Sequence, residues 1–359
     1  MHILELDTPA LTVDLDVLDR NLKGMADYAR THGLRLRPHT KTHKAPWIGK
    51  EQLRLGAVGL TVAKPTEAEV MLEAEPADML VAYPTLGAEK MARLRRVAER
   101  TSLSVSLDSL EAAEALSGAG VKAKVLVEFD AGLGRVGVDV AQLPALVEKI
   151  ARLPHIEFDG LAFYPGHIKA GGAEAEEKIA ALGALVEEAV HLVTRVGLPP
   201  RVVSGGSTPS WPQSHLVRGM NEIRPGTYVF NDRNTIMSGI CGVEDCAAVM
   251  VVTVVSTARP GQILIDGGSK TFSSDRLNGD TGVSHGLLLE APEAHFHKMN
   301  EEHGFVDVSK CGRSFRVGEK LRVLMNHVCV AMNLAERVHG HRGGVVEKSW
   351  EVTGRGKLQ

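Results

Sequence analysis

Eight short β-type runs alternate with amphipathic segments between Leu34 and about Arg224, and this rhythm limits the folds open to the chain. The runs are LRLRP (34–38), AVGLTV (57–62), DMLVAY (78–83), LSVSLD (103–108), KAKVLVEFD (122–130), IEFDGLAFY (156–164), RVVSG (201–205) and EIRPG (222–226). Segments such as PTEAEVMLEAE and GAEKMARLRRVAER lie between them. The longest, AEAEEKIAALGALVEEAVHLVTRVG, repeats its apolar residues at helical spacing. Such alternation builds a parallel sheet with helical crossovers. Eight units over roughly 200 residues match the span of a TIM-type (β/α)8 barrel. An open doubly wound sheet shares the rhythm and is the competing arrangement.

After about Ser238 the texture changes. CAAVMVVTVVSTA, GQILIDGG, FRVGEKLRVLMNHVCVAMN and GGVVEKSWEVTGRG are β-branched runs separated by glycine-containing turns. They predict a C-terminal all-β domain, so the fold class is α/β with a β domain appended. The opening PALTVDLD is strand-like and can pair with that domain. The expected boundaries are 16–236 for the barrel, with 1–15 and 237–359 forming the β domain. No internal repeat or low-complexity tract interrupts the chain.

Composition narrows the functional classes. A formal net charge of −3 and 4 % aromatic residues give no electrostatic or stacking case for nucleic acid, and none for an anionic membrane. No stretch is long and apolar enough for a transmembrane helix, and the acidic N-terminus does not read as a signal peptide. Four cysteines, none in a CxxC pair, do not make a disulfide scaffold in a chain this long. A reducing cytoplasm is the expected setting.

In a barrel the chemistry gathers where strands run into their following loops. Strand one ends in HTKTHK, strand five in EFDAGLGRVG with Arg135, strand six in FYPGH with Tyr164 and His167, strand seven in SGGSTPS and strand eight in RPGTY. All five polar stretches lie at the same end of their strands. SGGST offers Ser207 and Thr208, and RPGTY offers Gly226 and Thr227. Small residues there let backbone N–H groups approach an anion, and each loop alone is equally a tight glycine turn. Loops after strands seven and eight are a known phosphate geometry in barrels.

RPHTKTHK, residues 37–44, carries five basic side chains, two of them histidines. Arg37, Lys44 and protonated His39 and His43 would disfavour a further ammonium at Lys41 and favour the neutral amine that imine chemistry requires. A lysine on a basic loop is ordinarily a solvated one. Beside a phosphate cradle it points to pyridoxal 5'-phosphate.

The residues DTPALTVDLDVLDRN, RPHTKTHK, VEFDAGLGRVGV, FDGLAFYPGH, SGGST, RPGTYVFND, EEHGFV and NHVC resemble the fold-type III pyridoxal-phosphate enzymes, in the branch of D-threonine aldolase and D-serine dehydratase. The resemblance runs nearly the whole length and implies an alanine racemase-like barrel. It makes Lys41 the coenzyme-linked lysine, Arg135 the arginine facing the pyridine nitrogen and Tyr164 the residue stacked on the ring. Ser207, Thr208, Gly226 and Thr227 become the phosphate loops. It further implies a divalent metal (Zn, Mn or Mg) at His327 and Cys329. In a strand these residues face the same way, and imidazole with thiolate favours zinc. The alternative for that pair is a buried cysteine beside a satisfied histidine. Asp14 either reaches this metal through water or is a plain strand-end carboxylate.

The expected activity is therefore a lyase acting on a small β-hydroxy D-amino acid, in a homodimer. D-threonine aldolase is the favoured form, with His167 as candidate base or else a plain loop histidine. A D-serine or D-threo-3-hydroxyaspartate dehydratase is the alternative. A racemase is disfavoured because the family's racemases take a second base from a β-domain tyrosine, and none lies in 237–359. A non-catalytic coenzyme-binding homeostasis protein is disfavoured because it is a lone barrel.

Overall fold

The computed structural model describes residues 1–169, 172–277 and 283–359. The chain forms two compact units: one comprises Lys23–Lys41, Ala45–Gly226 and Lys357–Gln359, the other Met1–Leu22, Thr42–Lys44 and Thr227–Gly356.

β1 (Ala10–Asp14) belongs to the second unit. The first unit holds eight strands, β2 (Arg35–Leu36), β3 (Leu60–Val62), β4 (Asp78–Val81), β5 (Ser102–Leu107), β6 (Ala123–Glu128), β7 (Ile156–Ala162), β8 (Val202–Gly205) and β9 (Glu222–Ile223). Each falls inside one of the eight runs expected from the sequence, to within a residue. The order is β2-β9-β8-β7-β6-β5-β4-β3, and every neighbour is parallel. The two ends of this order also meet. Val58 N–H donates to the Leu36 carbonyl at 2.9 Å, Thr61 N–H to Pro38 at 2.9 Å and Thr40 N–H to Thr61 at 2.8 Å. The sheet therefore closes into a barrel, and the open-sheet alternative is excluded.

Side chains alternate along each strand, so one parity fills the barrel. Leu80, Leu126, Ala162 and Val202 pack there as a buried apolar cluster. A buried charged network shares the interior: Arg37 Nε donates to Glu222 Oε1 at 2.9 Å, its guanidinium also pairs with Asp78, and Ser204 donates to the same Glu222 oxygen at 2.8 Å. Gly59 makes room for it, because a Cβ there would stand 2.7 Å from Arg37 Nη1 and 2.4 Å from the Asp78 carbonyl.

The second unit is a mixed sheet. Its further strands are β10 (Ala248–Arg259), β11 (Gln262–Ile265), β12 (Gly286–Leu288), β13 (His295–Met299), β14 (Gly304–Asp307), β15 (Lys320–Met325), β16 (Arg337–Arg342) and β17 (Val345–Glu351). The opening strand joins them as the sequence suggested: β1 lies antiparallel to β10 and parallel to β16. The run FRVGEKLRVLMNHVCVAMN is not continuous strand. β15 stops at Met325 and a helix occupies Val328–Leu334. Among the described residues no helix is long and apolar enough to cross a membrane.

Strand β7 is bulged against β6, where the register shifts between Val125 and Leu126, and Gly160 follows the bulge. A Cβ at Gly160 would lie 1.8 Å from the Val202 carbonyl oxygen of β8. Gly160→Ala must push β7 and β8 apart and is expected to lower stability by at least about 1–3 kcal/mol, read as a lower thermal midpoint. An unchanged midpoint would contradict this strand pairing.

Candidate active site

The strand ends of the first unit surround a cavity of about 340 Å³. Lys41 lines it together with His39, Glu128, Arg135, Tyr164 and Arg224. Tyr164 is the centre of the group. Arg135 Cζ stands 4.7 Å from its ring centroid and Lys41 Nζ 6.0 Å from it, both over the ring. The aromatic face thus attracts the Arg135 guanidinium through its quadrupole. Arg135 rides on a loop tied to Asp130, whose carboxylate accepts Gly132 N–H at 3.0 Å and Gly134 N–H at 3.1 Å.

The crowd of charges expected round Lys41 is dispersed. Arg37 shares inward parity with His39, so it turns into the barrel and is neutralised by Glu222 and Asp78. Lys44 Nζ donates to the Gly354 carbonyl at 3.3 Å within the second unit. His39 Nδ1 accepts Lys41 N–H at 3.4 Å, a role open only to an unprotonated nitrogen.

Glu128 and Arg224 went unremarked in the sequence, although both sit on strand runs at inward positions. Glu128 accepts a hydrogen bond from Ser106 at 2.8 Å. Burial pushes its carboxyl above the ordinary range, against the pull of Arg224, the Ser106 hydroxyl and Arg135. Arg224 donates to Ser204 Oγ at 2.6 Å and to the Phe163 carbonyl at 3.0 Å. Burial draws its guanidinium below the ordinary value, and Glu128 and Glu222 oppose this.

The two glycine loops meet. Gly226 N–H donates to Thr208 Oγ1 at 3.2 Å, and the Ser207 and Ser210 hydroxyls lie 2.9 Å apart. Close packing demands glycine here: a Cβ at Gly205 would stand 2.2 Å from the Phe163 ring. Thr227 belongs to the second unit, and its hydroxyl lies 3.8 Å from Cys329 Sγ. His167 is exposed and its ring borders Gly132. It is not among the described residues that line the cavity.

In the second unit His327 and Cys329 come together, but not as i and i+2 of a strand. His327 precedes the helix Val328–Leu334, and Cys329 lies in its first turn. A β-branched sequence turns helical here because Asp232 supplies the start. Its Oδ2 accepts Val328 N–H at 3.1 Å and the His327 Nδ1 proton at 3.2 Å, so tertiary contacts override propensity. Asp232 Oδ1 also accepts Thr235 N–H at 3.0 Å, capping the helix Arg233–Met237. Burial disfavours the His327 cation, but hydrogen bonds to Asp232 and Cys329 outweigh it and push the imidazole up to about 11. Thr42 places its hydroxyl 3.2 Å from Cys329 Sγ.

These donors fit a divalent cation. Imidazole with thiolate is a zinc-type set, and a carboxylate behind the imidazole is the usual support of a ligating histidine. Among the described residues no group of three or more His, Cys, Asp and Glu side chains is arranged to hold a metal. Asp14 instead accepts Asp16 N–H at 2.9 Å and Val17 N–H at 3.2 Å, starting the helix Leu15–Thr31.

Residues 13–234 match the alanine racemase N-terminal domain, and residues 247–341 the putative serine dehydratase domain. The chain belongs to the fold-type III pyridoxal-phosphate family. Within this family, a D-threonine aldolase of Arthrobacter sp. is 30 % identical over 99 % of this chain and 94 % of its own length. The crystal structure of D-threonine aldolase from Filomicrobium marinum superposes with a TM-score of 0.89 at 30 % identity, covering 99 % of this chain and 98 % of that one. D-threo-3-hydroxyaspartate dehydratase from Delftia sp. HT23 superposes with a TM-score of 0.85 at 29 % identity, covering 98 % of both chains. A cysteine-to-alanine mutant of that dehydratase is known in a metal-free form.

Asp232 caps one helix and starts another. Asp232→Ala loses a cap worth about 1 kcal/mol and leaves the buried Val328 N–H without its acceptor, a cost of about 1–3 kcal/mol. A lower urea midpoint is expected with unchanged denaturant sensitivity. Retention of the wild-type midpoint would show that Asp232 does not organise this turn.

Proposed function

We propose that this chain is a pyridoxal-phosphate- and divalent-metal-dependent lyase of β-hydroxy D-amino acids, cleaving D-threonine to glycine and acetaldehyde. Its full-length similarity to D-threonine aldolases carries the reading. The residues of both units support it.

Lys41 would hold the coenzyme. The fit rests on a cavity within the range of small-ligand sites, a lysine and an aromatic face along its wall, and two small-residue loops brought together at Gly226 and Thr208. Ser207, Thr208, Gly226 and the backbone of Thr227 would take the phosphate. When bound, pyridoxal phosphate supplies an aldehyde that captures an amine and a ring that withdraws electrons. Tyr164 offers the flat surface against which a ring is oriented. Arg135 keeps positive charge over that surface, and Glu128 with Arg224 lines the cavity with opposite charges. His327 and Cys329 would hold the divalent ion, whose Lewis acidity makes a bound hydroxyl easier to deprotonate. Zinc is the metal the donor set favours. Asp232 keeps the His327 ring oriented.

Lys41→Ala is expected to abolish the near-visible absorbance of the lysine-bound coenzyme and its fixation by borohydride. Retention of that band would remove Lys41 from its role. His167 is assigned as the base for the substrate hydroxyl proton, and His167→Ala is expected to reduce kcat/KM for D-threonine by about 10²–10⁴. A reduction confined to KM would make it a binding residue only.

A second reading is the dehydratase, favoured by the thiolate donor and by the likeness to the Delftia enzyme. One assay separates the two. D-threonine and D-serine are each incubated with the metal-loaded protein, and acetaldehyde with glycine is scored against keto acid with ammonia. Pyruvate from D-serine without acetaldehyde from D-threonine would replace the aldolase by the dehydratase. Neither product would leave a coenzyme-binding protein. The same reading carries a cytoplasmic homodimer, and light scattering of the purified protein checks its oligomeric state.

A further inference from the structure

Two neutral groups hold the Arg224 guanidinium at the cavity wall. Nη1 donates to Ser204 Oγ at 2.6 Å and Nη2 to the Phe163 carbonyl at 3.0 Å. That carbonyl belongs to the peptide leading into Tyr164, the aromatic face of the cavity. One buried guanidinium thus braces the end of β7 against β8. The Arg224 backbone N–H donates to the Gly205 carbonyl at 3.0 Å and keeps the residue in register with β8.

The charge that answers this cation lies one step further away. Ser204 and Glu222 are register partners across β8 and β9, and both are fully buried. The Ser204 hydroxyl donates to Glu222 Oε1 at 2.8 Å. A hydroxyl has one proton. Once that proton is given to Glu222, its oxygen can only accept, and Arg224 is the donor it meets. The same Glu222 oxygen accepts Arg37 Nε at 2.9 Å, and Arg35 Nε stands 3.5 Å from Oε2. Among the described residues the link from Arg224 to Glu222 therefore runs through Ser204, to a carboxylate that Arg37 already occupies.

Glu222 and Arg224 alternate with Ile223 on one extended run, so both side chains point into the barrel. Opposite charges placed this way attract strongly where water is excluded. Left to that attraction, the guanidinium would turn down onto Glu222, off the Phe163 carbonyl and out of the cavity. The Ser204 hydroxyl satisfies both partners at once and keeps them apart.

We propose that Ser204 is a positioning residue, whose hydroxyl, oriented by Glu222, holds the Arg224 guanidinium at the cavity wall for coenzyme binding. The effect on coenzyme rests on the function proposed above; the position of Arg224 does not.

The test compares full-length wild type with Ser204→Ala and Ser204→Cys. Thermal midpoints without coenzyme establish that each variant is folded. Pyridoxal phosphate is then titrated in, and its near-visible band gives the dissociation constant. Ser204→Ala is expected to raise that constant about tenfold, because a buried charged donor loses its acceptor. Cysteine fills the same space but accepts an N–H only weakly, so Ser204→Cys is expected to weaken binding as well. Should alanine leave the barrel unfolded, the cysteine variant carries the same measurements. Arg224→Lys removes the fork that Ser204 and Phe163 share. Adding Ser204→Ala to it should cost nothing further, whereas a separate structural role for Ser204 would add its own loss. The crystal structure of Ser204→Ala is expected to show the guanidinium turned toward Glu222. A guanidinium that stays in place, wild-type affinity in Ser204→Cys or additive losses in the double variant would each overturn the proposal. Coenzyme binding by the wild type is measured first. Its failure would strike the coenzyme assignment of the preceding subsection, while the position of the guanidinium in Ser204→Ala still decides the role of Ser204.

Discussion

Closure of the parallel sheet governs the first unit. β2 meets β9 on one edge and the chain around β3 on the other, so every strand has two neighbours. Once the sheet is closed, alternate residues of each strand have nowhere to go but the interior, and the last inward residue of each strand reaches one common rim. Glu128, Arg224 and Tyr164 gather there for that geometric reason, with Lys41 just beyond the end of β2. The same constraint takes Arg37 out of the rim. It shares the parity of His39 but lies one inward position earlier, where Glu222 and Asp78 await it.

The second unit depends on one carboxylate. Asp232 faces Thr235 with one oxygen, and with the other it faces both Val328 and His327. Two helix starts and one imidazole orientation therefore share a single side chain. The pairing of His327 with Cys329 is a property of this junction rather than of a strand.

Much of this could be read in the sequence. The eight runs gave eight strands because parallel strands buried on both faces are apolar and short, and the helices between them keep a clear period. The polar ends named the rim, and Lys41, Arg135 and Tyr164 do meet there. Side-chain direction was harder to read. Proximity along the chain placed Arg37 beside Lys41, whereas Arg37 turns deeper into the barrel toward Glu222 and Asp78. The helix at Val328–Leu334 escaped notice because VCVAMNL is rich in strand-forming residues, and its cap comes from a residue far away in sequence. The local signal that was available, an Asp-x-x-Thr cap at Asp232–Thr235, marks the other helix that Asp232 starts. Glu128 and Arg224 were visible as charges on strand runs, which in a closed barrel are placed there for a purpose.

Gly59 makes a different kind of demand. The guanidinium of Arg37 occupies the very space a methyl group at 59 would need. Position 59 is therefore not free to vary on its own. Loss of the arginine alone would not admit a larger residue at 59, because the Asp78 carbonyl would still stand 2.4 Å from its Cβ. Remodelling this barrel from within therefore takes a shift of the backbone as well as an exchange of side chains.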